Sequence, residues 1–231
     1  MSSSPNEGDL FVSKHMQRDL EKLQHAIVTM ASGVEEAIFH ATEALQNRDP
    51  ATALKAIAGD VEIDRLENEV QEECLKILAL HQPVAGDLRR VSAVLLISTD
   101  LERMGDLAVG IAERAVQLAQ MPYVPIPNRI RTMTQRAASM VRESLNSFMH
   151  NDANIARAVI KMDDEVDNDN ALIIQELIAN MKQSAEWIEP GLSLFTAVRH
   201  LERIADHTTN IAEDVIYLVE GAIVRHNPEA L

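Results

Sequence analysis

The stretch DLERMGDLAVGIAE at positions 100–113 occurs again as HLERIADHTTNIAE at positions 200–213. Both copies carry an acidic residue four positions after the glutamate of Leu-Glu-Arg. The two copies lie 100 positions apart, so the chain contains an internal repeat, which indicates an architecture of two similar units. The acidic pairs of the two copies are Glu102 with Asp106 and Glu202 with Asp206.

A second pair of matching segments lies upstream of these motifs. Residues 45–64 align with residues 148–167 at a shift of 103 positions. Each half therefore holds an earlier acidic pair with the same four-residue spacing. This duplication favours two halves of roughly 110 residues that pack together. The earlier pairs are Asp60 with Asp64 and Asp163 with Asp167.

The composition indicates an all-α protein. Aromatic residues make up only 3% of the chain, and eight glycines and eight prolines leave long stretches of good helix formers. Within those stretches apolar residues recur every three or four positions, which is the spacing of one helical face. Short connections then predict two tandem, similar three-helix bundles. The six predicted helices cover residues 11–46, 50–81, 87–120, 128–150, 152–186 and 191–226.

Turn and cap residues divide the chain. Asp49 and Asp152 are predicted N-caps, Asp87 is a predicted cap of the third helix, and Glu189-Pro190-Gly191 is expected to break the chain before the sixth. The predicted segments are a disordered N-terminus (1–8), a first repeat (9–121), a Pro-rich connector (122–127), a second repeat (128–226) and a C-terminal tail (227–231).

Charge and cysteine content limit the partners. A formal charge of -15 argues against nucleic acid, because phosphate backbones are bound by clustered Lys and Arg. Cations or basic protein surfaces fit better. Cys74 is the single cysteine, so no intrachain disulfide can form and a reducing cytoplasm is expected. The sequence shows no leader pattern and no apolar run of membrane-spanning length, so contact with a membrane is expected only through docking on a membrane protein.

The acidic pairs are candidate cation ligands. On a helical wheel the pairs of the third and sixth helices lie opposite the apolar stripe, which predicts that they are surface groups pointing away from the core. The pairs of the second and fifth helices lie on the flank of the stripe, so neighbouring helices could bring two pairs together. Four carboxylates suit Mg, Mn, Ca or iron, and a cation would relieve their repulsion. The alternative is a solvated acidic face, which repetition in both halves makes less favoured.

Two further features accompany the repeated motif. His207 follows Asp206, but its counterpart is Leu107, so a surface or packing histidine is predicted rather than a ligand. Gly105 and Gly110 lie within the third helix, where glycine costs about 1 kcal/mol relative to alanine. Close approach of another helix or of a ligand would account for both glycines.

At these residues the chain resembles the PhoU family of phosphate-signalling proteins, whose repeats carry a motif like LERIGDHATNIAE and paired E(D)xxxD elements. The resemblance covers nearly the whole chain and implies two three-helix bundles. Some members of the family carry multinuclear iron or zinc clusters on the bundle surface. The first copy departs from the motif at Leu107 and Gly110, where His and Asn are usual. The resemblance implies one site at Asp60, Asp64, Glu102 and Asp106, and another at Asp163, Asp167, Glu202 and Asp206.

The resemblance also implies a function. The family represses the phosphate-starvation response by linking the high-affinity phosphate ABC transporter to its sensor kinase. The implied partners are therefore the transporter ATPase and the sensor histidine kinase, and a homodimer is left open. Catalysis is not implied, and the sequence contains no Gly-rich phosphate loop, nucleophile elbow or Cys/His dyad pattern.

Two rival interpretations remain. One is a carboxylate-bridged di-metal oxidase or metal-storage bundle, which usually uses Glu-x-x-His on two helices with ligands in the core. No Glu-x-x-His occurs in the chain, so this interpretation is less favoured. The other is a purely structural helical scaffold, which would bind no metal tightly.

Overall fold

A computed structural model describes the chain from residue 7 to residue 225, with side chains from residue 14. Every regular element in this part of the chain is helical, which confirms the predicted all-α class. A short 3-10 turn, Ala185–Trp187, precedes the last helix. The helices are α1 (Glu7–Asn47), α2 (Pro50–His81), α3 (Ala85–Gln120), α4 (Arg129–His150), α5 (Ala153–Met181) and α6 (Ile188–Glu220).

The helices form the two predicted bundles. In the first, α1, α2 and α3 pack on one another, and in the second α4, α5 and α6 do the same. The bundles meet where α3 packs on α6 and α1 packs on α4. Since Arg89 near the start of α3 donates to the carbonyl of Leu218 near the end of α6, those two helices run antiparallel.

Corresponding apolar positions build both bundles. Ile27, Met30, Val34 and Ile38 of α1 are fully buried. Each aliphatic side chain removed from water contributes about 1.5–3 kcal/mol, so these stripes supply most of the packing energy. The residues 103 positions later in α4 are also buried, namely Ile130, Met133, Ala137 and Val141.

The predicted caps of α2 and α5 are confirmed, but that of α3 is wrong. Asp49 accepts a hydrogen bond from the Ala51 backbone N–H at 3.0 Å, and Asp152 plays the same part at α5. Helix α3 instead starts at Ala85 after an extended Val84 that offers no side-chain cap. Asp87 lies in the first turn, where a carboxylate still benefits from the positive end of the helix.

The last helix differs most from its predicted limits. Pro190 and Gly191 lie inside the first turn of α6, where proline is tolerated because the backbone N–H has no intrahelical partner. The real break is the segment 182–187. At the other end, α6 stops at Glu220 rather than 226, because Gly221 adopts the left-handed conformation (φ 71°) that closes a helix.

The predicted N-terminal and C-terminal segments lie partly outside the residues that the structure describes. Helix α1 begins at Glu7, within the predicted disordered segment 1–8, and residues 1–6 lie outside the described part of the chain. The predicted tail 227–231 also lies outside it. Between residues 7 and 225, no helix is long and apolar enough to cross a lipid bilayer.

The two glycines of α3 mark close contacts, as predicted. A Cβ at Gly110 would lie 2.5 Å from Nδ1 of His200 on α6, so this glycine lets the two bundles approach. A Cβ at Gly105 would lie 2.8 Å from Oδ1 of Asp60 and 3.2 Å from Ile63 on α2. The cost of a mid-helix glycine is therefore offset by packing of neighbouring helices.

Replacing Gly110 and Gly59 by alanine tests this packing. Gly110→Ala should destabilise the fold by about 1–3 kcal/mol, because its Cβ overlaps the His200 ring. Gly59→Ala on α2 should stabilise it by about 0.5–1 kcal/mol, because nothing lies within 4 Å of a Cβ there. Urea unfolding followed by circular dichroism measures both. Equal stabilisation by the two substitutions would contradict the close contact at Gly110.

Candidate functional site

Packing of α2 on α3 and of α5 on α6 brings the acidic pairs together. In the first bundle, Asp64 and Asp106 both lie close enough to Asp60 to act on its ionisation, and Asp64 also acts on Glu102. We call these four residues (Asp60, Asp64, Glu102 and Asp106) the first acidic cluster. The second acidic cluster is Asp163, Asp167, Glu202 and Asp206, whose members interact in the same way.

The prediction that the acids of the third and sixth helices point away from the protein is wrong for Glu102 and Glu202. The side chain of Glu102 is only 17% exposed, and Glu202 is buried. Each glutamate lies beside the seam between two packed helices, α2 and α3 for Glu102 and α5 and α6 for Glu202. The neighbouring helix therefore covers part of its side chain. Asp106 and Asp206, one turn further on, are exposed.

The same division holds for α2 and α5. Asp60 and Asp163 are half-buried, whereas Asp64 and Asp167 are exposed. In each pair, therefore, the first acid lies deeper and the second lies at the rim. Each cluster is a shallow acidic recess between two helices rather than a flat charged surface.

Burial changes the ionisation of the deeper acids. Burial, together with repulsion from the carboxylates of Asp64 and Asp106, raises the pKa of Asp60 to about 6. Burial, followed by repulsion from Asp167 and Asp206, raises the pKa of Asp163 to about 7. A bound cation would favour the ionised form of both carboxyls and so would lower these raised pKa values.

The glutamates follow the same pattern. Burial first, and then the charge of Asp106, raises the pKa of Glu102. Burial and the charge of Asp206 likewise raise the pKa of Glu202, although Arg199 opposes the shift. The clusters therefore store electrostatic repulsion that a positive charge would relieve.

Arginines supply part of that positive charge. Arg103 Nη1 donates to Asp106 Oδ2 at 3.2 Å in the first cluster. In the second, Arg199 Nη1 donates to Glu202 Oε1 at 2.6 Å. Both arginines are substantially exposed, so each pair contributes at most about 1 kcal/mol.

Some cluster oxygens have no partner. Oδ1 of Asp60, Oδ1 of Asp163 and Oε2 of Glu202 are buried without a hydrogen bond. Leaving a buried hydrogen-bond acceptor unsatisfied costs about 1–3 kcal/mol. These oxygens would therefore be stabilised by a cation that they could coordinate. Carboxylates are the ligands that hard cations prefer, and the donor set fits such an ion.

The side chains are not arranged around a common point. Among the residues that the structure describes, no three His, Cys, Asp or Glu side chains are positioned to hold one metal ion together. Binding would therefore require the carboxylates to rotate toward the ion, which the exposed rim residues Asp64, Asp106, Asp167 and Asp206 have room to do.

His207 takes part in a contact that the sequence did not reveal. Its Nδ1 lies 2.7 Å from Oδ1 of Asp100, and Asn210 Nδ2 donates to the same oxygen at 3.2 Å. These bonds join α6 to α3 across the bundle interface. The motif differences at Leu107 and Gly110 in the first copy therefore lie at the bundle interface, and the acids of the first cluster are all present.

A buried ion pair was also missed. Asp169 on α5 is fully buried and is bound by Arg136 and, at 3.0 Å, by Nη1 of Arg129, both on α4. The sequence did contain a signal for this pair. Asp169 corresponds, at the shift of 103 positions, to Leu66 in the apolar stripe of the first repeat. Because both arginines come from α4, the pair holds α4 against α5.

The fold and clusters define a class: a helical repeat protein of two tandem three-helix bundles, each with an acidic recess between its second and third helices. A family model described as the PhoU domain matches residues 27–115 and 130–215. The chain belongs to the PhoU family.

Individual relatives support this family assignment. A protein of Aquifex aeolicus named phosphate-specific transport system accessory protein PhoU homolog is 41% identical over 90% of this chain and 95% of its own length. The homolog of the same name from Pseudomonas aeruginosa is 36% identical over 93% of this chain and 89% of its own length.

Solved structures show the same architecture. The crystal structure of PhoU from Pseudomonas aeruginosa superposes with a TM-score of 0.84 at 35% identity, covering 89% of this chain and 99% of that one. The structure of the phosphate transport system regulatory protein PhoU from Streptococcus pneumoniae also gives 0.84, at 30% identity, over 90% of this chain and 99% of that one.

Asp163→Asn tests the stored repulsion. The folded-state pKa of Asp163 is raised from 3.8 to about 7, so its stabilising protonated form is lost as pH rises through that range. At about pH 8 the neutral substitution should raise the melting temperature of the metal-free protein by roughly 2–5 °C. The gain should shrink toward about pH 5, where the wild-type carboxyl is protonated.

Thermal melts in a chelator at both pH values measure this difference. Glu176→Gln, an exposed glutamate of the same helix, is the matched control and should leave the melting temperature unchanged. An equal gain at both pH values, or a loss at the higher one, would contradict the raised pKa.

Proposed function

We propose that this protein is a non-catalytic cytoplasmic adaptor that restrains phosphate uptake and phosphate-starvation signalling. Its partners in this role are the ATPase of a phosphate ABC transporter and a sensor histidine kinase. The observation that carries the proposal is the pair of acidic clusters on a duplicated fold whose relatives are named phosphate-specific transport system accessory proteins. No step of this role requires a reacting group, only surfaces that other proteins bind.

The clusters are proposed to be metal sites. Asp60, Asp64, Glu102 and Asp106 would hold one group of ions, and Asp163, Asp167, Glu202 and Asp206 the other. A bound cation would supply positive charge that neutralises the buried carboxylates, and iron, zinc, manganese, magnesium or calcium could do so. The unpartnered buried oxygens of Asp60, Asp163 and Glu202 support this assignment.

A di-metal oxidase or metal store fits less well. Such sites place ligands inside a four-helix core. Here the rim acids Asp106 and Asp206 are exposed, and each recess lies between two helices at the bundle surface. A surface site suits a role in which the metal shapes a binding face.

Metal content distinguishes a site from a solvated acidic face. Glu202→Ala with Asp206→Ala should lower the Mn²⁺ bound per chain at the second cluster, because two of its four carboxylates are lost. The helical circular dichroism should persist, since neither residue belongs to the apolar core. Glu69→Ala with Glu73→Ala is the control, an acidic pair of equal spacing outside the clusters.

Isothermal titration with Mn²⁺ gives the stoichiometry and affinity of each variant. If the double cluster variant binds as many ions as the wild type, the acids are only a solvated surface.

Cells and purified partners test the regulatory role. A strain lacking the protein should express phosphate-scavenging genes even when phosphate is plentiful. The purified protein should bind the transporter ATPase or the sensor kinase, with an association rate that falls as salt rises, because the chain carries a charge of -15. Normal repression in the deletion strain, together with no complex at low salt, would overturn the adaptor assignment.

A further inference from the structure

The first acidic cluster continues by one further pair of facing residues. On α2, Glu67 follows Asp64 by three positions, so it lies on the same helical face one turn further along. On α3, Thr99 precedes Glu102 by three positions, and its Oγ1 donates to Glu67 Oε1 at 3.2 Å. We call Glu67 and Thr99 the outer pair of the first cluster.

The charge of Glu67 reaches the first cluster. Burial and the charge of Asp106 are the main causes of the raised pKa of Glu102, and the charge of Glu67 adds to them. The hydrogen-bond donors to Glu67 are the neutral side chains of Gln71 and Thr99. The outer pair therefore adds a fifth carboxylate to the first cluster.

The outer pair of the second cluster has the opposite charge. Asn170 lies 103 positions after Glu67, and Arg199 lies 100 positions after Thr99. The formal charge of the outer pair is therefore -1 in the first bundle and +1 in the second. The two clusters are alike in their four acids but differ by two charges at their outer pairs.

Arg199 is bonded directly to the second cluster. Its Nη1 donates to Glu202 Oε1 at 2.6 Å, and its charge also acts on Asp206. A cation bound at Glu202 would lie near this guanidinium and would be repelled by it. Arg103 and Arg203 are counterparts 100 positions apart, so they give both clusters the same charge and do not distinguish them.

We propose that the two clusters are unequal cation sites, in which Glu67 strengthens divalent-cation binding at the first cluster and Arg199 weakens it at the second. Glu67 offers a further carboxylate, the ligand that hard cations prefer. Arg199 is a fixed positive charge that already occupies one oxygen of Glu202. The first cluster would therefore fill at a lower cation concentration than the second. This inference rests on the proposed metal sites and deepens them by naming the residues that set the affinity of each.

Proteins that keep one cluster each give the two affinities separately. Glu202→Ala with Asp206→Ala leaves the first cluster, and Glu102→Ala with Asp106→Ala leaves the second. Isothermal titration with Mn²⁺ at low ionic strength should give a Kd roughly tenfold lower for the first cluster, because two formal charges near the ion favour it there.

Exchanging the outer pairs should exchange the affinities. Glu67→Asn with Thr99→Arg, made in the protein that keeps the first cluster, should raise the Kd for Mn²⁺ roughly tenfold. Asn170→Glu with Arg199→Thr, made in the protein that keeps the second cluster, should lower it by a similar factor. Arg142→Thr removes a 67% exposed arginine outside both clusters, and as the matched control it should leave both Kd values unchanged.

Single substitutions of Arg199 separate its charge from its shape. Arg199→Thr alone, in the protein that keeps the second cluster, should lower the Kd for Mn²⁺ roughly threefold to tenfold, because the repelling charge is lost. Arg199→Lys retains that charge and should keep the weaker binding. The side chain of Arg199 is 44% exposed, so neither change disturbs the core.

Equal Kd values for the two single-cluster proteins would overturn the inequality and leave both metal sites in place. Unchanged Kd values after both exchanges would also overturn it, because the outer pairs would then not set the affinity. If an exchanged protein loses its helical circular dichroism, Arg199→Thr alone decides, and an unchanged Kd overturns the proposal. A wild type that binds no Mn²⁺ at either cluster would overturn the metal sites themselves and this inference with them.

Discussion

Repulsion among carboxylates that lie partly buried between packed helices is the physical constraint that sets the chemistry of both acidic clusters. Each bundle packs its second helix against its third, and the spacing of the acidic pairs puts the deeper acid of each pair beside that seam. Asp60 and Asp163 consequently have pKa values of about 6 and 7, against 3.8 for an exposed aspartate. A positive ligand, as proposed for both clusters, would offset this cost in each repeat.

The bundle interface holds the two clusters in a fixed relation. Asp100 lies two residues before Glu102, and it accepts hydrogen bonds from His207, which directly follows Asp206. Gly110 allows the His200 ring to pack against α3 further along the same interface. Both clusters are therefore anchored to one antiparallel helix pair, α3 and α6.

The sequence predicted the architecture because it depends on periodic patterns. Repeats offset by 100 and 103 positions identified the two bundles, and Asp49 and Asp152 were recognisable as caps. Local sequence signals gave wrong helix limits where tertiary contacts determine the start of a helix. Pro190 reads as a helix breaker but lies in a first turn, and Asp87 resembles a cap although α3 starts at Ala85.

The candidate site shows the same division between pattern and packing. The eight acids were identifiable from spacing, but the burial of Glu202 depends on a neighbouring helix that no spacing within α6 describes. Anomalous scattering from crystals grown with Mn²⁺ tests the central claim most directly. Peaks are expected at both acidic clusters, and well-ordered carboxylates with no peak at either cluster would contradict the proposed metal sites.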